Sequence, residues 1–486
     1  MKVSIGKLMQ ESGVGFGTSG ARGLVVQMTD FVSYAYTQAF LLHCEKEHSS
    51  EKTLAIAGDL RPSTGRILTA VAQAALDCGW KVNYCGRIPS PAIALYGIEK
   101  TLPTVMVTGS HIPEDRNGIK FNHPKGEITK KDEQGIVKQE IDINENLFDD
   151  KGMLLRPTSL PEIDATAEEI YVSRYVSYYP ANALEGLKIG VYEHSAVGRD
   201  ILSKVLRELG AEIISLGRSE TFIPVDTEAI REEDSRLARE WAKEGFFALV
   251  STDGDSDRPL LSDENGEWLR GDVLGILAAT ALEISSVATP VSCNTALEKS
   301  NRFKKICRTR IGSPYVIEGM ESLAQDFNSV AGYEANGGFL LQTNVEKAGK
   351  ILKALPTRDA LLPIISVLVN AKNLKFKVSD LLKELPSRFS ASDRLKNFPT
   401  ERSKQKIAEI KSENSGEILF GKFSGKLKAI DETDGFRMTF DSEEIIHLRP
   451  SGNAPELRCY VEASSQERAK KLLTDCIQVL ESFRGE

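Results

Sequence analysis

Three times along the chain, short runs of apolar and β-branched residues alternate with helical segments, and each pass ends in a polar loop. The elements of the first pass are a strand over 54–57, a helix over 64–77 stopped by Gly79, a strand over 81–85, a helix near Ala92 and a strand over 103–107. Helix-stopping glycines and the short strands that follow them support these assignments. Such alternation predicts an α/β fold with mixed, largely parallel sheets covered by helices on both faces.

The same order of elements returns twice. The second pass contains a strand over 187–192, a helix over 197–209, a strand over 211–216, a helix over 233–243 and a strand over 246–250. The third contains a helix over 272–283, a strand over 290–293, a helix over 314–323 and the strand before Glu334. Because ligands bind at the carboxyl ends of strands in open α/β sheets, three similar domains that share one cleft are expected.

After Lys375 the pattern changes. Strands over 426–430, 436–440 and 457–461 precede a final amphipathic helix, whose predicted capping box begins at Ser464. This segment predicts a smaller α+β domain carried on a linker. At 486 residues the chain is too long for one hydrophobic core. We expect four domains, which span 1–160, 161–268, 269–375 and 376–486.

The first polar loop presents a serine. Ser110 lies on a Gly-flanked turn directly after the strand over 103–107, with His111 beside it and Lys120 ten residues on in the same predicted loop. A serine at the carboxyl end of a strand, close to a histidine and a lysine, is arranged for covalent chemistry. Taken alone, a serine on a turn is more often a turn former.

The second loop places carboxylates at alternate positions, Asp253, Asp255 and Asp257. Three such groups repel one another unless a cation lies between them, and hard oxygen ligands suit Mg²⁺. The alternative is an ordinary acidic surface turn that binds no metal. Arg258 next to the cluster suggests a contact with a phosphate that the metal also touches.

An EF-hand is a competing interpretation of this loop, because Glu264 falls at its twelfth position. Arg258, however, occupies the position that requires glycine. Pro259 and the turn over 263–266 predict a hairpin rather than a flanking helix. We therefore favour a magnesium loop over a calcium loop.

Two further loops carry polar groups that suit a sugar phosphate. In the Gly-rich loop over 332–338, Glu334 and Asn336 can bond to sugar hydroxyls, although Gly-rich turns are common. In the last loop, Arg449 precedes a run of small residues whose backbone N–H groups can form a phosphate nest. An ordinary Pro/Gly turn with an exposed arginine is the alternative for this last loop.

In this order the four loops, together with Phe16–Gly23, resemble the motifs of the α-D-phosphohexomutase family, the phosphomannomutases and phosphoglucomutases. The resemblance covers essentially the whole chain. The family's loops normally read Thr-Ala-Ser-His-Asn-Pro, Asp-Gly-Asp-Ala/Gly-Asp-Arg, Gly-Glu-x-Ser-Gly and Arg-Pro-Ser-Gly-Thr-Glu-Pro. This chain departs at Gly109 and Ile112, which leave the serine intact, and at Asn336, Asn453 and Ala454, which affect sugar and phosphate contacts.

The resemblance implies a reaction. A phosphorylated Ser110 would give its phosphoryl group to a hexose monophosphate, so that hexose 6-phosphate and hexose 1-phosphate interconvert through a hexose 1,6-bisphosphate, which is also the activator. One Mg²⁺ would be held by Ser110, Asp253, Asp255 and Asp257. Catalytic roles would fall to Ser110, His111, Lys120 and Arg22. The substrate would be bound by Arg258, Gly312, Glu334, Asn336, Arg449, Ser451, Gly452 and Asn453.

Within the family we favour a phosphomannomutase, with phosphoglucomutase or phosphoglucosamine mutase as alternatives. Phosphoglucosamine mutase fits less well, because the sugar loop lacks the Ser-Gly-His ending of that branch. From another class, a metal-dependent serine phosphohydrolase would share the covalent intermediate but transfer the group to water. A non-catalytic sugar-phosphate-binding protein would be expected to have lost Ser110 or an aspartate, and neither is lost.

Composition limits the partners and the cellular location that we expect for the protein. The net charge of −8 argues against a general nucleic-acid binder. The longest apolar runs are about half a membrane span, and the amino terminus lacks a signal-peptide core. Seven scattered cysteines without a Cys-x-x-Cys pair predict reduced thiols. We expect a cytoplasmic enzyme, monomeric or homodimeric, whose partner is a small hexose phosphate rather than nucleic acid or membrane.

Overall fold

A computed structural model describes residues 1–17, 20–47, 52–412, 415–451 and 455–484. The amino-terminal domain contains β1 (Lys2–Ser4), α1 (Ile5–Ser12), β2 (Gly15–Phe16), β3 (Gly20–Leu24), α2 (Asp30–Glu47), β4 (Thr53–Gly58), α3 (Thr64–Asp77), β5 (Lys81–Arg87), α4 (Ser90–Lys100), β6 (Thr104–Val107), β7 (Arg116–His123), β8 (Gly126–Glu127), α5 (Lys130–Val137), β9 (Glu140–Asp142) and a 3-10 turn over Glu145–Leu147. Its main sheet has the order β2-β3-β7-β6-β4-β5, in which β4 is parallel to β5 and β6 while β7 is antiparallel to β6.

The second domain repeats the parallel core. It contains α6 (Thr166–Tyr178), β10 (Lys188–Tyr192), α7 (Arg199–Glu208), β11 (Glu212–Leu216), α8 (Glu232–Ala242), β12 (Ala248–Thr252) and β13 (Pro259–Leu261). The sheet order is β11-β10-β12-β13, with only the pairing of β13 antiparallel. The loop between β12 and β13 is the one that carries the aspartates.

The third domain contains the same parallel core. It contains α9 (Gly271–Ala281), β14 (Ser286–Pro290), α10 (Ala296–Lys299), β15 (Lys305–Thr309), α11 (Ser313–Leu323), β16 (Val330–Tyr333), β17 (Phe339–Leu341), β18 (Val345–Lys347), β19 (Lys350–Leu352), β20 (Leu355–Asp359), α12 (Leu361–Leu374) and α13 (Val378–Lys383). The sheet order is β15-β14-β16-β17-β20, and β18 pairs with β19 in a separate hairpin.

The carboxyl-terminal domain is an antiparallel sheet flanked by helices. It contains β21 (Phe389–Lys396), α14 (Thr400–Ser412), α15 (Gly416–Ser424), β22 (Leu427–Asp431), β23 (Phe436–Phe440), β24 (Ile445–Pro450), β25 (Glu456–Ala463) and α16 (Gln466–Ser482). The sheet order is β21-β25-β24-β23-β22. Three mixed α/β domains and one smaller α+β domain therefore confirm the predicted fold class.

Strand β4 shows why helices cover both faces of such a sheet. Successive side chains of a strand point to opposite faces. Leu54 and Ile56 enter the core beneath α2 and α3, whereas Ala55 and Ala57 enter the core shared with α4 and α6. With both faces apolar, the strand reads as a continuous hydrophobic run rather than an alternating one.

Three local predictions are wrong. The strand expected over 290–293 lies at Ser286–Pro290. Ser286 and Thr289 are buried and pair with the neighbouring strand, but their polar side chains do not have the hydrophobic pattern from which a buried strand is predicted. The final helix is capped by Ser465, whose side chain accepts from the Arg468 N–H, rather than by Ser464. Lys120 was expected on a loop but lies on β7.

All seven cysteines are unpaired, and five of them are buried. No described helix is both long enough and apolar enough to cross a bilayer.

Candidate functional site

The serine loop joins β6 to the antiparallel strand β7. Ser110 is buried and has a φ of 55°, in the left-handed region. Its hydroxyl donates to Asp253 Oδ2 at 2.7 Å, and Oγ lies 3.4 Å from His111 Nδ1. Its own N–H donates to Thr108 Oγ1. The predicted nucleophile of the first domain is therefore in direct contact with the predicted metal loop of the second.

The three aspartates form a compact acidic cluster. Asp253, Asp255 and Asp257 are buried, and one carboxylate oxygen from each lies within 4.8 Å of the others. Within the described part of the chain, Asp255 Oδ1 and Asp257 Oδ1 have no hydrogen-bond partner. Buried polar atoms are almost always satisfied, so these two oxygens fit a hard divalent cation such as Mg²⁺.

Lys120 reaches the same cluster from β7. Its Nζ donates to Asp255 Oδ2 at 2.6 Å and to Asp257 Oδ2 at 2.7 Å. Ser90, at the start of α4, also bonds Asp255 through its hydroxyl at 2.6 Å and its N–H at 2.9 Å. The first domain thus holds Asp255 from two sides.

The aspartates differ in their acidity. Burial, together with the charges of Asp255 and Asp257, holds the pKa of Asp253 well above its ordinary value. Burial also opposes ionisation of Asp255, but Lys120 outweighs it, so the pKa of Asp255 is lowered. For Asp257 burial is likewise outweighed, chiefly by Arg358, and the pKa is lowered.

Guanidinium groups surround the cluster. Arg258 Nε lies 3.6 Å from Asp257 Oδ1 and 3.9 Å from Asp253 Oδ2. On β3, burial and then repulsion by Arg258 and Arg358 lower the pKa of Arg22 to about 10. Cations packed this closely favour an anionic ligand of high charge.

His111 is held neutral in this setting. Burial lowers its pKa strongly, and the charges of Arg258 and Arg22 lower it further. A neutral imidazole of such low basicity is a poor proton acceptor. Of the two predicted proton-transfer groups, His111 is therefore disfavoured.

Arg61, which was not predicted from the sequence, supports the serine loop through hydrogen bonds. Its guanidinium is fully buried and donates to four backbone carbonyls of that loop, those of Ser110 (2.8 Å), Ile112 (2.5 Å), Pro113 (2.7 Å) and Arg116 (3.0 Å). Its Cζ lies 4.0 Å from the centre of the Phe222 ring, which belongs to the second domain. The packing is so close that a Cβ at Gly109 would lie 2.5 Å from Cζ of Arg61.

The sugar loop lies between β16 and β17. Glu334 is buried and accepts from Arg358 Nη1 at 3.3 Å. Arg358, on β20, also donates through Nε to Asp257 Oδ2 at 3.1 Å, so it joins the sugar loop to the metal loop. Asn336 Oδ1 accepts from the Gly338 N–H, and its carbonyl accepts from Thr227 of the second domain. Sequence reasoning missed Arg358, which lies on a strand outside the four motifs.

The remaining predicted substrate residues lie on the third and fourth domains. Gly312 precedes α11 and has a φ of 130°. Arg449, on β24, pairs through Nε with Asp434 Oδ2 at 2.9 Å, and Ser451 is buried. Gly452 and Asn453 lie outside the described residues.

Contacts between domains bring the predicted residues to one cleft. Ser110 contacts Asp253 across the first and second domains. Glu127 of the first domain accepts from Ser313 at 3.0 Å and Thr357 at 2.6 Å in the third. Asp434 of the fourth domain accepts from the Ile311 N–H at 2.9 Å, beside Gly312.

Family models match the chain from end to end. The phosphoglucomutase/phosphomannomutase alpha/beta/alpha domains I, II and III match residues 13–147, 169–266 and 270–389, and the C-terminal domain of that family matches 374–478. The order of the matches agrees with that of the serine, metal, sugar and phosphate loops.

Relatives that match over nearly the full length of the chain indicate the same family. The chain is 44% identical over 480 residues to a phosphomannomutase of Salmonella muenchen, covering 98% of each chain. It is 42% identical over 472 residues to a phosphomannomutase of Sinorhizobium fredii, covering 96% of this chain and 98% of the relative. The fold resembles that of a phosphoglucomutase/phosphomannomutase family protein of Burkholderia thailandensis, with a TM-score of 0.76, 18% identity and coverage of 96% and 97%.

Proposed function

Because the chain belongs to the phosphoglucomutase/phosphomannomutase family, we propose that it is a phosphomannomutase that interconverts mannose 6-phosphate and mannose 1-phosphate. It is an intramolecular phosphotransferase, and therefore an isomerase, with a hexose phosphate as its small-molecule substrate. The observation that carries the assignment of its nucleophile is the 2.7 Å contact between Ser110 Oγ and Asp253 Oδ2.

Ser110, Asp253, Asp255 and Asp257 would hold one Mg²⁺, which when bound neutralises negative charge on the phosphoryl group. Asp255 Oδ1 and Asp257 Oδ1, which accept no hydrogen bond within the described residues, support this assignment. Arg22 and Arg258 add positive charge on the same side of the cleft. Phosphoryl transfer asks a protein mainly for such positioning and charge neutralisation.

In the proposed reaction the phosphorylated Ser110 faces the free hydroxyl of a hexose monophosphate. The bond from phosphorus to Ser110 Oγ breaks, and a bond from phosphorus to the sugar oxygen forms. The proton that leaves the sugar oxygen is relayed through Lys120, which releases a proton to Ser110 Oγ as it accepts the one from the sugar, so that Ser110 ends as a hydroxyl that can donate to Asp253, as it does here. The hexose 1,6-bisphosphate then reorients, its other phosphoryl group returns to Ser110, and the Ser110 proton passes back through Lys120 to the sugar oxygen that this phosphoryl group leaves.

Substrate recognition is divided between two loops in this proposal. Glu334 accepts bonds from sugar hydroxyls, and Arg358 fixes the orientation of its carboxylate. Arg449 and Ser451, with Gly452 and Asn453, hold the phosphate that is not reacting. Because the bisphosphate is bound in two orientations, these four residues should bind phosphate strongly and the sugar weakly. Gly312 and Asn336 shape the loops on either side.

The choice of mannose rests on the two relatives that share 42–44% identity over nearly the full chain. Glucose phosphates differ from mannose phosphates only in the configuration at C2, so glucose 1-phosphate is the expected second substrate. Hexose 1,6-bisphosphate serves as the activator that first phosphorylates Ser110. Unpaired cysteines fit a reducing cytoplasm, where we expect a monomer or homodimer.

The direct test compares initial rates with mannose 1-phosphate, glucose 1-phosphate and glucosamine 1-phosphate, each with catalytic glucose 1,6-bisphosphate and Mg²⁺. We expect the highest kcat/KM with mannose 1-phosphate. Inorganic phosphate is measured in the same reactions. Its stoichiometric release without hexose 6-phosphate would instead establish a phosphohydrolase, while a preference for another sugar would move the enzyme to that branch of the family.

A further inference from the structure

Asp434 connects the fourth domain to the third. It lies in the turn between β22 and β23, and its Oδ2 accepts from the Ile311 N–H at 2.9 Å. In the same contact, Arg310 Nε donates to the Thr433 carbonyl at 3.2 Å. The turn over 433–434 therefore closes on the loop that leads into α11 through Gly312.

The same carboxylate holds Arg449. Asp434 Oδ2 lies 2.9 Å from Arg449 Nε, and both side chains are more than four-fifths buried. Within the described residues Arg449 Nε makes no hydrogen bond, so this contact is an ion pair, and the carboxylate on the Nε side can hold the guanidinium by charge while the Nη donors serve a ligand. Gly435 keeps the turn against β24, since a Cβ there would lie 2.4 Å from the Leu448 carbonyl oxygen.

The turn does not need this carboxylate for its own shape. Asp431, not Asp434, caps it by accepting from the Thr433 N–H at 2.8 Å. The backbone of Asp434 is fixed separately, because its carbonyl accepts from His447 Nε2 at 2.6 Å. The Asp434 carboxylate is thus directed outward, to a second domain and to one arginine.

We propose that Asp434 is the positioning residue that closes the fourth domain over the cleft and orients Arg449 for phosphate. The assignment to phosphate rests on the proposed function, whereas the assignment to closure rests on the contact with Ile311 alone. Without the carboxylate, the fourth domain should open more often and Arg449 should meet the ligand in more than one orientation. Both effects weaken binding of every hexose phosphate and leave transfer at Ser110 unchanged.

The test uses the full-length enzyme with Asp434→Ala and the near-isosteric Asp434→Asn. Amide hydrogen exchange is measured without sugar on peptides covering 308–316 and on the Thr295 amide. The Thr295 amide bonds Glu462 at 3.0 Å across a different contact of the same two domains, so it reports domain opening separately from the local bond that Asp434 accepts. We expect both Ile311 and Thr295 to exchange about 10- to 100-fold faster in Asp434→Ala.

KM for mannose 1-phosphate should rise about 10-fold in both variants, with kcat within about 3-fold of wild type. Glu432→Gln is the matched control, since Glu432 lies in the same turn but pairs with Lys411 at the surface. Unchanged exchange at Thr295 would overturn the closure, and an unchanged or lower KM would overturn the positioning of Arg449. If wild type had no mutase activity, the proposed function would fail while the exchange result would still decide the closure.

Discussion

Replacing Arg61 by lysine tests how the nucleophile is held. Lysine keeps the charge but has one ammonium in place of the fork that serves the carbonyls of Ser110, Ile112, Pro113 and Arg116. An ammonium has three N–H donors, so at least one of those four carbonyls would lose its donor. A loss at the Ser110 carbonyl, whose bond to Arg61 is buried, costs about 1–3 kcal/mol, so the loop should be destabilised by about that amount. Part of this loss will appear in global stability and part as misplacement of Ser110.

Steady-state kinetics and amide exchange separate the misplacement of Ser110 from the loss of global stability. A displacement of about 1 Å at a reacting atom costs about 100-fold in rate, so kcat of Arg61→Lys should fall about 100-fold while KM stays within about 3-fold. Amide exchange over 109–116 should accelerate. Phe222→Leu removes the ring 4.0 Å from Cζ and should reduce kcat by about 3- to 30-fold.

Arg66→Lys is the matched control, because Arg66 lies in α3, which begins shortly after Arg61, but bonds Asp30 and the Met28 carbonyl instead of the serine loop. It should lower Tm slightly and leave kcat unchanged. Wild-type kcat in Arg61→Lys would refute the argument. So would equal effects of the two arginine substitutions, because the loss of activity would then reflect general stability.

Three further predictions test the roles of the loops. Ser110→Ala should lower mutase turnover by about 10⁴-fold and abolish the one labile phosphate seen by intact-mass analysis; an active variant phosphorylated elsewhere would contradict the assignment. Asp255→Asn should weaken Mg²⁺ binding and reduce turnover at least about 100-fold, and full activity in excess chelator would refute a metal-dependent transfer. Arg449→Ala should lower kcat/KM by about 30- to 1000-fold for every hexose phosphate, whereas Glu334→Gln should change the ratio of mannose to glucose activity. The reverse pattern, with a sugar-dependent effect at Arg449 and a uniform one at Glu334, would show that these two loops were assigned the wrong way round.

The groups that belong to a single loop could be predicted from sequence. Ser110 follows one buried strand, Asp253 follows another and Glu334 a third, and each strand ends at the cleft, as the repeated β/α pattern implies. The pattern did not reveal that an antiparallel strand follows each loop. In each case that strand is short or polar, and β7 carries Arg116, Asn117 and Lys120 among its residues.

The groups that join loops could not be predicted in this way. Arg61 reaches the Ser110 carbonyl 49 positions away and Arg358 reaches Asp257 101 positions away, and an arginine in isolation reads as a surface charge. Their burial is the informative property, and burial follows from the packing of domains rather than from local sequence. A signal was nevertheless present at Gly109, where glycine replaces the family's usual alanine and leaves space for the guanidinium of Arg61.

The two loops that meet at the centre of the site are held in costly backbone conformations. Ser110 and Ser256 have φ values of 55° and 58°, a region that costs a non-glycine residue about 1–3 kcal/mol. Each is fixed by bonds from outside its own loop. Arg61 holds the Ser110 carbonyl, and Ser256 Oγ accepts from the Gly198 N–H at 2.9 Å. Because these supports come from other parts of the protein, the contact between Ser110 and Asp253 is set by the fold itself. Changes that loosen either support should therefore lower turnover before they lower affinity.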